Sequence, residues 1–329
     1  MTSLTLTCIG RQQNTHDVVS WQLAPLSGSL PPVLAGQCIT LHTEIDGQPE
    51  CRAYTLSSSP QDACWQVTIK DVGRVSRHLH QTLQVGDKIR VDGPFGDFNL
   101  TALPCERPLL LSAGSGITPM WSMLRDELAK RPDADIRFIH SARSSKDVIF
   151  ADELATLTAA HAGVRHALIL EDAPADHPWI GRLTPAMLAE LAPDLRDRHV
   201  YLCGPAPYMA AVRTMLTELG LPPEQLHQES FGLPPAEPIK TTSDHFWLTL
   251  KKSGKKVKIL PGQTLLAALE AAGETIMAAC RAGVCGSCRC TTTGDIERQS
   301  VMTLSAQDLE SGVALACSCT AKGDIGLDY

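Results

Sequence analysis

Four cysteines late in the chain are spaced like a metal-binding set. Three lie in Ala279-Cys280-Arg281-Ala282-Gly283-Val284-Cys285-Gly286-Ser287-Cys288, and Cys317 follows after 28 intervening residues. Thiolates bind iron and zinc. When four must converge on two irons, one short loop can supply three and a distant strand the last, and Cys-x-x-x-x-Cys-x-x-Cys…Cys is a [2Fe–2S] ligand spacing. Small residues in the loop (Ala282, Gly283, Gly286, Ser287) let backbone N–H groups approach the sulfurs and tune the potential. The alternatives are zinc and a disulfide pair. Zinc favours paired Cys-x-x-Cys ligands, which a triplet with one late partner fits poorly. The candidate metal ligands are therefore Cys280, Cys285, Cys288 and Cys317. Cys290 and Cys319 fall outside the spacing and read as packed thiols, with a ligand exchange between Cys317 and Cys319 as the alternative.

Three upstream stretches hold residue types that bind phosphate or nucleotide. In Arg52-Ala53-Tyr54-Thr55-Leu56-Ser57 an arginine, able to pair with phosphate, shares a strand face with an aromatic two residues on, and a hydroxyl follows. Strands contain Tyr and Thr often, so this stretch alone says little. Gly73-Arg74-Val75-Ser76 opens a helix running through Leu79 and Leu83, and a glycine-led helix N-terminus seats anions. Gly114-Ser115-Gly116-Ile117-Thr118-Pro119 joins an apolar run to a helical pattern, a turn that lets backbone approach a pyrophosphate. It lacks the third glycine of the usual dinucleotide fingerprint. The next strand ends in Ser141-Ala142-Arg143 rather than an acid for the ribose, which disfavours a free-standing Rossmann dehydrogenase. Cys203 precedes Gly204-Pro205; a lone strand cysteine is commonly a core thiol, but the Gly-Pro after it points to a site.

The elements that must position these groups follow from periodicity. Residues 1–103 read as short alternating strands (Leu4–Ile9, Val18–Leu23, Cys38–His42, Trp65–Ile69) between turns at Pro31-Pro32, Asp46-Gly47, Gly86-Asp87 and Gly93-Pro94. That spacing predicts a small antiparallel barrel. Residues 104–231 alternate apolar runs (Pro108–Ala113, Ile136–His140, Ala167–Leu170, His199–Cys203) with helical stretches near 150–160, 184–192 and 206–219, predicting a doubly wound parallel α/β sheet. Residues 232–243, with three prolines and no apolar period, read as a linker. Residues 244–329 open with a hairpin, Phe246–Leu250 and Lys255–Leu260. Thr264 is a helix cap for Leu265–Ala272, and Ser305 with Asp308 forms a second cap near a capping box.

Composition bounds the partners. The chain has 329 residues, 43% hydrophobic and 20% charged, which fits two or three globular domains. Its net charge of −7 argues against nucleic acid. All of that charge resides in residues 1–243; the last module balances nine basic against nine acidic residues. Neither a membrane span nor a signal peptide is expected, and six of the twelve cysteines follow residue 279, so a reducing, cytoplasmic setting is expected. The basic hairpin Lys251-Lys252-Ser253-Gly254-Lys255-Lys256 reads as a solvated turn, with a docking patch for an acidic surface as the alternative.

Taken together, the Arg-x-Tyr-Thr strand, the Gly-x-x-Ser turn, Pro94-Phe95-Gly96, the Gly-x-Gly-Ile-Thr-Pro turn and Cys-Gly-Pro resemble the ferredoxin-reductase superfamily. The last module resembles a β-grasp, plant-type ferredoxin, so the resemblance covers the whole chain. It implies a flavin-binding barrel, a pyridine-nucleotide domain and a ferredoxin domain, with FAD, a [2Fe–2S] cluster and NADH as substrate. It further implies that Arg52 holds flavin phosphate, Tyr54 packs on the isoalloxazine and Thr55 reaches its N5. Gly73, Val75 and Ser76 then receive pyrophosphate, and Ile69 and Lys70 join the cofactor-binding set. On the nucleotide side it implies Gly114, Gly116, Thr118, Cys203, Gly204 and Pro205, with Thr55, Thr118 and Cys203 as the catalytic trio. Phe231 is implied beside the flavin, against a core phenylalanine.

Asp147–Glu153, Cys203–Met209, Ala279–Gly286, Met302–Leu304 and Leu315–Cys319 are most similar to the branch of NADH oxidoreductases serving hybrid-cluster (hydroxylamine reductase-type) proteins. Ser287 departs from that branch, where another cysteine is expected. The expected activity is an NAD(P)H:acceptor oxidoreductase passing electrons from NADH through FAD and the cluster to the hybrid-cluster protein. The alternatives are the reductase component of an oxygenase and a non-enzymatic iron–sulfur redox sensor. The resemblance leaves NADH against NADPH open, since Arg143 suits a 2′-phosphate. Arg281 and Arg289 beside the loop are expected to ease cluster reduction.

Overall fold

The computed structural model describes residues 3–231, 245–274, 276–281, 283, 285–300 and 303–329. The 232–243 linker, Ala282, Val284 and Met302 lie outside the described residues.

The first sheet has six strands: β1 (Ser3–Thr15), β2 (Val18–Pro25), β3 (Cys38–Ile45), β4 (Gln48–Thr55), β5 (Trp65–Lys70) and β6 (Lys88–Phe95), in the order β4-β3-β6-β1-β2-β5. The two outer strands meet where Leu56, just past β4, bridges Val67 of β5, closing the barrel. Alternation sends Leu6, Trp21, Leu23, Val67, Ile69, Ile89 and Val91 inward, each nearly or fully buried. Each such aliphatic side chain contributes about 1.5–3 kcal/mol relative to exposure. Trp21 is buried, and its indole N–H donates to the Leu83 carbonyl (3.1 Å), tying the end of α1 (Arg74–Thr82) to the barrel.

The second sheet is parallel throughout. Strands β7 (Pro108–Ala113), β8 (Ile136–Ser144), β9 (Val164–Asp172), β10 (His199–Cys203) and β11 (Leu226–Glu229) lie in the order β11-β10-β7-β8-β9. Helices α2 (Ile117–Lys130), α3 (Ala151–Ala160), α4 (Pro185–Leu191) and α5 (Ala206–Glu218) supply the crossovers. One apolar cluster joins α2 and α3 to the sheet through Met120, Met123, Leu124, Phe138 and Leu154; another joins α4 and α5 to it through Leu188, Val200, Met209, Val212 and Leu216. The strand order reverses between β7 and β10, the point where doubly wound sheets open a crevice at their carboxyl ends.

The third sheet pairs β12 (Phe246–Leu250) with β13 (Lys256–Ile259) as a hairpin and β12 with β18 (Ile325–Asp328) in parallel. With β14 (Arg289–Thr293) and β16 (Val313–Leu315) the order is β13-β12-β18-β14-β16; β15 (Ile296–Arg298) and β17 (Cys319–Ala321) form a separate ribbon. Helix α6 (Leu265–Ala271) buries Leu265, Leu266, Ala268 and Leu269 into this core. The Thr264 hydroxyl caps it by accepting from Ala267 N (3.2 Å), and Ser305 with Asp308 caps the short α7 (Ala306–Glu310).

The chain forms two compact units, Met1–Ile39 with Tyr54–Ser230, and Thr40–Ala53 with Phe231–Tyr329. Among the described residues no helix is long and apolar enough to cross a membrane.

Candidate flavin, nucleotide and cluster sites

At the end of β4, Tyr54 is half-buried and Thr55 is 4% exposed. The Thr55 hydroxyl is buried without a hydrogen-bond partner. Leaving such a group unpaired costs about 1–3 kcal/mol, so the residue fits a ligand that brings a polar atom to it, as a flavin ring would. Arg52 stands two residues earlier and pairs with Glu50 (3.3 Å) and the Cys51 carbonyl, so a phosphate bound there competes with Glu50 for its guanidinium. Ile69 is buried in the barrel, and Lys70 is held by Asp17 (3.2 Å). Helix α1 starts at Gly73, where an added Cβ would meet nothing within 4 Å, so the approach to its first-turn N–H groups is open on that side. Val75 is buried. The Ser76 hydroxyl is also buried; it accepts from Gly73 N (2.9 Å) and Val72 N (3.0 Å) and donates to the Gly73 carbonyl (3.0 Å). Ser76 therefore builds the turn with its side chain, and backbone amides are what the turn offers an anion.

The nucleotide crevice is built by close backbone approach. Gly114 has φ +52°, and Gly116 packs so tightly that a Cβ there would lie 2.3 Å from the Cys203 carbonyl oxygen and 2.7 Å from Gly204 N. Strands β7 and β10 are adjacent, and this packing holds their carboxyl ends together at the switch point. Thr118 is buried and donates to the Ser115 carbonyl (3.0 Å), which fixes the turn. Cys203 is fully buried; burial first, then the nearby Glu229 carboxylate, pushes its thiol well above the usual range, so it stays protonated. Pro205 is exposed at the start of α5. Phe231 is 48% exposed, which rules out the core-phenylalanine reading.

Three further residues lie in the same row of the sheet and were not among the sequence candidates. The register sets Glu229 opposite Cys203, Cys203 opposite Ser112, and Ser112 opposite His140. His140 is fully buried, contacts the Ser112 hydroxyl through Nδ1 (2.9 Å) and is pushed down to about 3 by burial and then by His166. It is neutral at physiological pH. Only strand register brings these residues together, and no spacing in the sequence signals it.

In the last module Cys285, Cys288 and Cys317 are buried, and Cys280 is partly exposed. All four are free thiols close enough to perturb one another: Cys280 acts on Cys285 and Cys317, and Cys288 and Cys317 act on each other. Backbone amides point at them, Gly283 N to Cys317 Sγ (3.2 Å), Cys317 N to Cys288 Sγ (3.4 Å) and Ser287 N to Cys285 Sγ (3.5 Å). The Cys280 side chain and burial raise the Cys285 thiol; Cys280 and Cys288 raise Cys317. Four crowded thiols become thiolates together only against compensating positive charge, which two irons supply. Among the described residues no three His, Cys, Asp or Glu side chains form a ready chelate for a single ion, whereas a two-iron centre shares its four thiolates between two metals. Cys290 and Cys319 are buried in the module's apolar core, with Cys290 pushed up to about 12 by burial and then by Cys288.

The arginines beside the loop carry less influence than their charge suggested. Arg281 pairs with Glu270, and Arg289 bonds the Thr303 carbonyl and approaches Asp308 (3.5 Å). An ion-paired arginine exerts little net field, so the expected easing of reduction is not supported. In the basic hairpin, Lys252 meets Asp328 (3.3 Å) and Lys255 meets Glu274 (2.6 Å).

Three family models match the chain: an oxidoreductase FAD-binding domain over residues 12–100, an oxidoreductase NAD-binding domain over 110–214, and a 2Fe-2S iron-sulfur cluster binding domain over 248–322. The glycine betaine monooxygenase reductase subunit of Chromohalobacter salexigens is 35% identical over 98% of this chain and 94% of its own. This chain belongs to the ferredoxin-reductase superfamily. Within the superfamily it is also similar to the NADH oxidoreductase HCR of Escherichia coli, 34% identical over 92% of this chain and 90% of that one. The solved structure of phthalate dioxygenase reductase, described as modular for electron transfer from pyridine nucleotides to [2Fe-2S], covers 99% of this chain and 98% of its own at 25% identity and a TM-score of 0.63. The superfamily member described here is an NAD(P)H oxidoreductase that uses FAD and a [2Fe–2S] cluster. When bound, flavin takes up a hydride's two electrons and releases them singly, and the cluster carries one at a time.

Proposed function

We propose that this reductase is the electron-delivering component of a multicomponent oxygenase, handing single electrons from its cluster to a terminal oxygenase of the glycine betaine type. The observation that carries this reading is full-length similarity to an oxygenase reductase subunit, 35% over 98% of the chain. Ser287 supports it: the serine stands where a cysteine is expected in the hybrid-cluster branch, and here its hydroxyl accepts from Ala279 N (2.7 Å) and contacts Cys285 Sγ (3.0 Å). Similarity to HCR keeps the hybrid-cluster protein as the second reading.

The proposed division of labour has three parts. Residues 1–103 hold FAD, with Thr55 hydrogen-bonding N5, Tyr54 against the ring, and Arg52 and the Gly73–Ser76 turn at the phosphates, beside Ile69 and Lys70. Residues 104–231 seat the nicotinamide, with Gly114 and Gly116 admitting the pyrophosphate, Thr118 and Cys203 orienting the ring, Gly204 and Pro205 completing the turn, and Phe231 beside the flavin. Residues 232–243 link these to residues 244–329, where Cys280, Cys285, Cys288 and Cys317 hold the cluster. Twelve free cysteines suit a reducing cytoplasm.

The acceptor is tested by reducing the purified protein anaerobically with one equivalent of NADH and mixing it with candidate acceptors. Reoxidation by a glycine betaine-type oxygenase component, much faster than by hybrid-cluster protein, is expected. The reverse order would overturn the oxygenase reading.

A further inference from the structure

Hydride transfer demands that two separately held rings meet, and one contact set joins the elements that hold them. The turn after β4 begins three residues past Thr55. In it the Ser59 N–H donates to Asp62 Oδ2 (2.9 Å) and Asp62 N–H to the Ser59 carbonyl (3.0 Å), which fixes the Asp62 carboxylate. That carboxylate takes both Arg125 nitrogens of α2, Nη1 to Oδ2 at 2.7 Å and Nη2 to Oδ1 at 2.8 Å. The Ser122 hydroxyl donates to the Ser58 carbonyl (2.6 Å), and Gln61 Nε2 donates to the buried Asp126 (2.7 Å). Arg125 also lies over the Trp121 ring at 5.7 Å, and Trp121 stacks on Phe150, which anchors the arginine to the sheet's own core.

Thr118, Ser122 and Arg125 stand at i, i+4 and i+7, so one face of α2 carries both the nicotinamide-side threonine and the grip on the turn. Along the helix, Thr118 is about 6 Å from Ser122; along the strand, Thr55 is at most about 10 Å from Ser58. Bidentate Arg–carboxylate pairing is directional as well as strong, and a misplacement of about 1 Å costs on the order of 100-fold in rate.

We propose that Asp62 and Arg125, supported by Ser58–Ser122 and Gln61–Asp126, are positioning residues that set the approach of nicotinamide to flavin. They touch neither ring. The proposal rests on the roles given above to Thr55 and Thr118.

The test uses the flavin-loaded full chain and anaerobic stopped-flow reduction by NADH. Limiting rate and half-saturating NADH are read separately, and 4-deuterated NADH reports the isotope effect. Asp62→Ala and Arg125→Ala are each expected to lower the limiting rate tenfold or more, with half-saturation within threefold and the isotope effect retained. Arg125→Lys, which keeps the charge, should recover much of the loss. Single variants within twofold of wild type, or Arg125→Lys no faster than Arg125→Ala, would overturn the clamp. Should an alanine variant lose flavin or fold, Ser122→Ala decides: a threefold or greater slowing supports the proposal and an unchanged rate overturns it. A wild type that NADH fails to reduce would overturn the reductase reading beneath it.

Discussion

At the residue scale, the most informative atom is the Thr55 hydroxyl, buried with no partner beside a half-buried tyrosine. A site that pays for an unpaired polar group without ligand recovers it on binding. Thr55→Val keeps the shape and removes the group. The variant is therefore expected to leave the ligand-free protein as stable or up to about 1 kcal/mol more stable. It should bind FAD more weakly and be reduced by NADH about tenfold more slowly, about 1.4 kcal/mol. Thermal melts with and without FAD, and stopped-flow reduction, check both halves; a variant destabilised without FAD and unimpaired with it would contradict the assignment. Thr55 could be singled out as a candidate because Arg-x-Tyr-Thr is a local pattern. Glu229 and Asp62 were not, because what they meet is set by strand register and tertiary packing.

At the element scale, the parallel sheet is pinned at its amino end by charge and tuned by pH through its interior. Arg198 is fully buried and pairs with Asp194 (2.8 Å) and Asp135 (2.7 Å); Arg107 joins both carboxylates and Arg137 joins Asp194. Asp194→Asn leaves Arg198 and the nearly buried Arg137 short of a partner. A loss of about 3 kcal/mol in urea unfolding is expected; a loss under about 1 kcal/mol would contradict a structural role.

His140 and its neighbour His166 both contribute to the pH dependence, His140 the more. Burial lowers the folded pKa of His140 to about 3, against about 6.5 unfolded, so the unfolded chain binds the extra proton below about pH 6.5. Stability from this group is full above about 6.5 and falls by about 1.4 kcal/mol per unit as pH drops toward 3. Urea midpoints from pH 7 to 5 should fall accordingly, and His140→Asn should make that slope shallower, leaving the share of His166, which burial lowers to about 4. An unchanged slope would show that His140 is not held neutral. The apolar runs made the central strands legible. β6, with alternate Lys88, Arg90 and Asp92, and β11, reading Leu-His-Gln-Glu, escaped notice because neither has a continuous apolar signal; pairing with neighbours makes them strands.

At the scale of the whole molecule, the motifs ordered the three cofactor sites along the chain, and their chemistry implied the direction of electron flow. The acceptor was less legible: the sequence segments favoured the hybrid-cluster branch, whereas the full-length relatives give more support to an oxygenase reductase, because the loop motifs are shared by both. The cluster loop also lost its presumed positive edge, since Arg281 and Arg289 are ion-paired. Cys280 is the most exposed of the four thiols. The central claim is that electrons enter as hydride at the flavin and leave through the cluster. It is tested most directly with Cys285→Ser, assayed side by side for NADH oxidation by a small dye and by the oxygenase component. The account predicts dye reduction within about twofold of wild type and protein-acceptor reduction lost by 100-fold or more. Equal loss of both activities in a variant that retains its FAD would contradict it.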